Sequence, residues 1–302
     1  MNENFLYYIV GPDDPCRFLR DVLKSQMRIS HSLLTKLKAQ HKIKVNGVTA
    51  LTNYTLQTGD RITVDIILNE KNNIEPMNLP LDIVYEDIDL LVINKPPGLA
   101  VHPGKDRSIR TLANAVTNYW AQQGHVSLFR PINRLDKQTS GLILIGKSQY
   151  AHQAIFRQQK QGLLHRSYQA LVEGLVQEDS GSINLPIAHP DPEHSQKRSV
   201  EPDGKPAFTH FTVIKRYPGY TLLALTLGSG RTHQIRVHLS HLGHPVCGDS
   251  LYGRPSQLIT RQALHARQLS VQQPRSGTHL YLQADLPPDM AALLEDLNTS
   301  GR

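Results

Sequence analysis

Two hydrophobic periods alternate along the chain. Ser30 is placed to cap a helix carrying Leu33, Leu34 and Leu37 on one face, with Lys36 and Lys38 turned away. Lys42-Ile43-Lys44-Val45 then alternates as a strand does and runs into Asn46-Gly47. That dipeptide suits a type I′ hairpin turn, which needs positive φ at both central positions. A second turn at Thr58-Gly59-Asp60 leads into Arg61-Ile62-Thr63-Val64-Asp65-Ile66, another alternating run. The pattern predicts a small unit of helices on a curled sheet.

Residues 69–80 are polar and interrupted by Pro76 and Pro80, as a linker is, and a new core begins at Leu81. Strands are expected at 82–85 and 90–94, then a loop at Lys95-Pro96-Pro97-Gly98. A helix capped by Ser108 carries Leu112, Ala115, Val116 and Tyr119 and stops before Gly124. The all-apolar run Leu142-Ile143-Leu144-Ile145 reads as a buried strand, followed by a helix over 149–159 and strands at 167–172, 210–214 and 220–227. With neither a fixed repeat nor strict strand–helix alternation, the fold class is α+β with a mixed, largely antiparallel sheet. The expected division is a first domain with its linker at 1–75 and a second domain at 76–302.

Composition adds little until charge is mapped. The chain has 302 residues, 39% hydrophobic and 20% charged, with a net charge of +7. Between Arg17 and Lys44 stand eight basic residues (Arg17, Arg20, Lys24, Arg28, Lys36, Lys38, Lys42, Lys44) against one acid, Asp21, leaving 25 of each sign elsewhere. The whole excess therefore sits in the first unit, which points to a polyanionic partner. The two cysteines, Cys16 and Cys247, form no CxxC pair, so neither a disulfide framework nor a zinc site is suggested, and a reducing compartment is expected. Without a basic leader followed by an apolar run, and without an apolar stretch near 18 residues, a soluble, cytoplasmic protein with no membrane partner is expected.

The candidate chemistry lies at Asn133-Arg134-Leu135-Asp136-Lys137-Gln138-Thr139-Ser140-Gly141, directly before the apolar strand. A carboxylate with an ordinary pKa of about 3.9 is ionised at neutral pH, and a neighbouring guanidinium favours that form. Asp136 can thus serve as a nucleophile without metal or general base. The plain alternative is an Asx turn capped by Asp136. Three other segments carry similar weight: 92–103 around Lys95-Pro96-Pro97-Gly98, 166–174 around Tyr168, and Leu227-Gly228-Ser229-Gly230-Arg231-Thr232-His233-Gln234-Ile235-Arg236-Val237-His238-Leu239.

With these four segments in this order, residues 80–290 resemble the pseudouridine synthases of the RluA type. Residues 13–68, through Lys44-Val45-Asn46-Gly47 and Thr58-Gly59-Asp60-Arg61-Ile62, resemble the RNA-binding domain named after small-subunit ribosomal protein S-four. The double resemblance implies an isomerase that moves uracil from an N1 to a C5 linkage in RNA, with no cofactor and no metal. It is similar to members acting on large-subunit, 23S-type ribosomal RNA, and a monomer is expected.

The resemblance implies that Asp136 is the catalytic aspartate, that Arg236 pairs with it, and that Tyr168 lies near the base. Arg134 is implied to fill the gap left by a flipped nucleotide or to contact phosphate. Arg17, Arg28, Lys36, Lys38, Lys42 and Lys44 are the candidate RNA contacts of the first domain. Position 133 departs from the family, which more often has His before Arg-Leu-Asp; Asn cannot shuttle a proton. That departure keeps open a non-catalytic RNA-binding or ribosome-assembly factor of the same fold, and a glycosidic-bond hydrolase using Asp136 is a third alternative. The steps His238, His241, His244 and Cys247 superficially suggest a metal, but three-residue steps rotate around a helix that Gly243 and Pro245 break.

Overall fold

In the computed structural model, the residues described are 4–104, 110–124, 127–193 and 195–300. The first unit runs β1 (Phe5–Ile9), α1 (Leu19–Ser25), α2 (His31–Ala39), β2 (Ile43–Val45), β3 (Val48–Thr49) and β4 (Arg61–Asp65). Its strands form an antiparallel sheet in the order β1-β4-β2-β3. Ser30 caps α2 by accepting from the Leu33 amide, and Leu33, Leu34 and Leu37 are buried as the spacing predicts. Asn46 and Gly47 take φ of 51° and 84°, the values the tight hairpin requires.

The second unit runs β5 (Ile83–Glu86), β6 (Leu90–Lys95), α3 (Leu112–Gln122), β7 (Ser140–Gly146), α4 (Gln149–Lys160), β8 (His165–Glu173), β9 (Ser180–Asn184), β10 (Ile187–Ala188), β11 (Ser199–Val200), β12 (Phe208–Tyr217), β13 (Tyr220–Leu227), α5 (Gln234–His241), β14 (Leu264–Gln272), β15 (His279–Gln283) and α6 (Pro288–Ser300). Its main sheet has the order β5-β6-β7-β14-β8-β13-β12-β9, with β15 on β14. The fold is α+β, and every pairing in this sheet is antiparallel except the short parallel contact of β7 with β14. The predicted Ser108 cap lies outside the described residues. The cap observed for α3 is Thr111, which exchanges hydrogen bonds with Asn114 in a capping box.

Strand β7 is buried along its whole length because both faces are covered, which is why its sequence is uniformly apolar rather than alternating. At its start, Gly141 has φ of 108°, and a Cβ there would lie 2.3 Å from the Ala266 carbonyl oxygen. Only glycine lets β7 and β14 meet this closely, and the Asp136 turn hangs from that junction.

The two units are joined by more than the linker. Tyr150, at the start of α4, is buried in the apolar cluster of the first unit with Leu33 and Leu37. Ser30 donates to Gln153, Ser32 accepts from Gln149 and Gln153, and Lys36 reaches Gln149 at 3.0 Å and Glu70 at 3.1 Å. Helix α4 thus seats the basic unit at one end, while Gln159 near its other end lines the Asp136 cleft. Its 12 residues span about 18 Å at 1.5 Å per residue.

Candidate active site

The Asp136 turn closes through the main chain, the Thr139 amide donating to the Asp136 carbonyl at 3.1 Å. The carboxylate is left to face the helix α5. Arg236 Nη1 donates to Asp136 Oδ2 at 2.9 Å, while its Nε and Nη2 grip the fully buried Asp249 at 2.6 and 2.8 Å. One planar guanidinium therefore bridges two carboxylates, a fixed geometry that a lysine cannot reproduce. Burial alone would lower the Arg236 pKa, but the hydrogen bonds and charge of Asp249, then those of Asp136, outweigh it and the net shift is upward. Arg236 is a permanent cation, not a helix-surface arginine.

Asp249 Oδ1 also accepts the amides of Leu251 and Tyr252 at 3.0 and 3.2 Å, and the Tyr252 ring lies 5.0 Å under the Arg236 guanidinium. His233, the residue before α5, adopts φ of 58° and ψ of 17°, a left-handed conformation uncommon outside glycine. This turn brings His233 Nε2 to 3.8 Å from Asp136 Oδ1, while Nδ1 lies 2.8 Å from the Tyr252 hydroxyl. The hydroxyl also accepts the Arg198 amide, so its own proton is free to go to Nδ1. Burial lowers the His233 pKa, with Asp136 opposing and Arg236 reinforcing, which keeps the ring neutral at pH 7.

Tyr168 is 4% exposed on β8, and its side chain lines one cavity with Asp136, Arg134, His233 and Arg236. Burial raises its pKa, Arg166 opposes and Asp136 adds to the rise. The group is a neutral phenol at pH 7, suited to stacking and hydrogen bonding. Arg134 is exposed at the rim of the wider cleft, whose volume of about 680 Å³ is within the range of small-ligand sites. Another cavity, about 730 Å³, lies by Leu68, Lys71 and Trp120 and shares no lining residue with the cleft.

Asn133, the departure from the family pattern, is buried and bridges the main chain of β7: its amide nitrogen donates to Leu142 and its oxygen accepts the Leu144 amide. Its job is to hold the strand behind Asp136, and an amide does this without titrating. Two of the histidines in the 238–247 run are likewise occupied. His238 uses Nδ1 on Thr209 and Nε2 on the Leu185 carbonyl, and His244 bonds the Glu173 carbonyl.

Three contributors escaped the sequence reading: Asp249, the orientation of His233, and Lys95. Lys95 is fully buried, its ammonium donating to the carbonyls of Pro96, Leu99 and Lys137 at 2.8, 2.8 and 3.1 Å. It stitches the proline loop to the residue after Asp136. Lys95 belonged to a quoted segment, but nothing local marks a lysine as turned inward.

In the first unit, Lys42 is paired with Asp65 and Lys36 with Glu70, whereas Arg17, Arg28, Lys38 and Lys44 are exposed and have no carboxylate partner among the described residues. Arg28 is close enough to Arg157 of α4 to depress its pKa, after burial, so positive charge continues from the first unit onto the second.

Residues 89–241 match the RNA pseudouridylate synthase family. The chain belongs to that family. It is 39% identical over 290 residues to an RNA pseudouridine synthase of Bacillus subtilis, YhcT, which is itself uncharacterised, covering 95% of this chain and 96% of that protein. It is 38% identical over 306 residues to the ribosomal large subunit pseudouridine synthase D of Nitrosomonas europaea, covering 97% and 88%. Among solved structures, human RNA pseudouridylate synthase domain containing 1 superimposes with a TM-score of 0.55 at 26% identity, covering 76% of this chain and 97% of that one. The protein is an RNA pseudouridine synthase of the RluA type, an isomerase. No helix among the described residues is long and apolar enough to cross a membrane.

Lys95 provides a pH test of the site's framework. Burial pushes its pKa down to about 7, the Arg261 charge assists and Asp136 opposes. Because the folded value lies below the unfolded one, the unfolded chain binds more protons between pH 7 and about 10.5. Wild type should therefore gain stability relative to Lys95→Met as pH rises through that window, read by urea unfolding at a series of pH values. A difference independent of pH would contradict the depressed Lys95 pKa.

Proposed function

We propose that this synthase acts on large-subunit ribosomal RNA and that Asp136 is its catalytic carboxylate. The single observation carrying the site assignment is the Asp249–Arg236–Asp136 chain, which presents one carboxylate oxygen pair to a cleft of nucleotide size. Cleaving the C1′–N1 bond builds positive charge on the ribose, and a carboxylate fixed beside C1′ stabilises or traps it. The detached uracil turns, C5 bonds to C1′, the C5 proton leaves and N1 gains a proton, so the reaction is balanced without an external reactant. Tyr168 supplies a stacking face for uracil during the turn. Arg134, on the rim, is placed to stack where the nucleotide was or to meet its phosphate.

The ribosomal assignment is supported by the named activity of the Nitrosomonas relative and by the charge of the first unit. That unit is the RNA-binding module, and its unpaired cations Arg17, Arg28, Lys38 and Lys44 are the phosphate contacts. The alternative of a non-catalytic assembly factor drew on Asn133, whose hydrogen bonds are those of a strand brace. The protein works as a monomer in the cytoplasm in this reading.

Mapping carbodiimide-derived pseudouridine stops in cells with and without the protein should show loss at one or several large-subunit sites. Loss confined to transfer RNA would overturn the substrate. Asp136→Asn should abolish the missing modification while retaining RNA affinity, since charge is removed at nearly constant volume; turnover within about tenfold of wild type would remove Asp136 from the chemistry.

Replacing Arg17, Arg28, Lys38 and Lys44 by Gln should weaken binding to ribosomal RNA and flatten its dependence on log salt. Each lost phosphate contact reduces the slope by about 0.7 to 0.9. Identical slopes for wild type and the quadruple variant would make these side chains a solvated surface only.

A further inference from the structure

Among the described residues, four lysine or arginine side chains are buried: Lys95, Arg166, Arg236 and Arg261. Three of them have compensation. Lys95 has three carbonyls, Arg236 has Asp136 and Asp249, and Arg261 has Asp289 together with main-chain carbonyls. Arg166 is only 8% exposed, yet no carboxylate pairs with it among the described residues, and its Nε has neither water access nor an acceptor.

Its position is specific. Arg166 and Tyr168 are two residues apart on β8 and so point to the same side of the strand. Both line the cleft that holds Asp136, with Gly230 and Arg231 on the facing loop. The Arg166 guanidinium nitrogens are 3.5 and 3.8 Å from where a Cβ at Gly230 would stand, so the glycine keeps open the space next to them. The charge is in the wall of the cleft. Arg134, Lys137 and Arg231, by contrast, are exposed at its mouth, where water screens them.

A desolvated guanidinium without a counter-ion is costly, and a fold retains it where a ligand supplies the missing anion. The substrate of this enzyme is a polyanion whose every nucleotide carries a phosphodiester on the ribose. With C1′ at Asp136 and uracil against Tyr168, the phosphodiester of the extruded nucleotide is the anion that reaches the wall. We infer that Arg166 binds that phosphodiester, its planar fork taking two phosphate oxygens, and thereby holds the flipped nucleotide in the cleft. This role rests on the pseudouridine synthase chemistry proposed for Asp136. It assigns Arg166 to substrate binding, not to bond making.

The test compares wild type, Arg166→Gln and Arg166→Lys in three measurements. These are tritium release from RNA transcripts carrying uridine labelled at C5, filter binding of the same transcripts across a salt series, and the melting temperature without RNA. For Arg166→Gln the expected results are a loss of about tenfold or more in kcat/KM, a binding slope shallower by about one phosphate contact, and a melting temperature equal to or above that of wild type. Arg166→Lys should keep the slope and recover part of the rate. An unchanged slope for Arg166→Gln would overturn the inference, as would its failure to fold or a clear fall in melting temperature, either of which would mark Arg166 as structural. Absence of tritium release by wild type would count against the ribosomal substrate alone, because the slope and the melting temperature still decide the role of Arg166.

Discussion

The site is organised around a guanidinium that must satisfy two carboxylates at once. Asp249, completely buried, has no use except to hold Arg236 and the turn that follows it, and it takes two of the guanidinium's three nitrogens. The third nitrogen can point in only one direction, and Asp136 is there. Removing Arg236 would leave the buried Asp249 carboxylate uncompensated, at a cost of about 3–5 kcal/mol. The aim of the Asp136 carboxylate is thus inherited from a fully buried residue 113 positions away.

Other constraints converge on the same turn from the opposite side. Gly141 brings β7 against β14, Asn133 braces β7 from its buried face, and Lys95 ties the proline loop to the carbonyl of Lys137. Asp136 is therefore fixed fore and aft by groups that are themselves buried and hydrogen-bonded, the condition for holding a reacting atom to a fraction of an ångström. Helix α4 extends this order outward, since its first residues embed Tyr150 in the first unit's core and its last turn reaches the cleft. Arg28 and Arg157 stand together at the junction, so positive charge is continuous from the first unit to the second.

What the sequence made legible was local or carried by a motif. The leucine spacing of α2, the Asn46-Gly47 hairpin and the uniformly apolar β7 are signals that neighbouring residues generate among themselves, and the structure has all three. The pairing of Asp136 with Arg236 was implied by family resemblance and is present at 2.9 Å. The misses that bear on the site are non-local. Asp249 follows Arg236 by a helix and a loop, and no periodicity links them. Strand β14, which supplies β7's parallel neighbour, and the edge strand β15 went unread because their value depends on partners far away in the chain. Lys95 was read as part of a rigid loop, because an inward-turned lysine is recognisable only once its three carbonyls have been brought together.

The most direct measurement is the turnover of Asp249→Asn on ribosomal RNA, taken well below its melting temperature and alongside RNA affinity. If Arg236 aims Asp136 because Asp249 fixes it, turnover should fall by about a hundredfold, the scale on which ångström misplacement acts, while affinity stays within about twofold. Turnover within about threefold of wild type in the folded variant would show that Arg236 needs no second carboxylate, and the organising role given to Asp249 would be wrong.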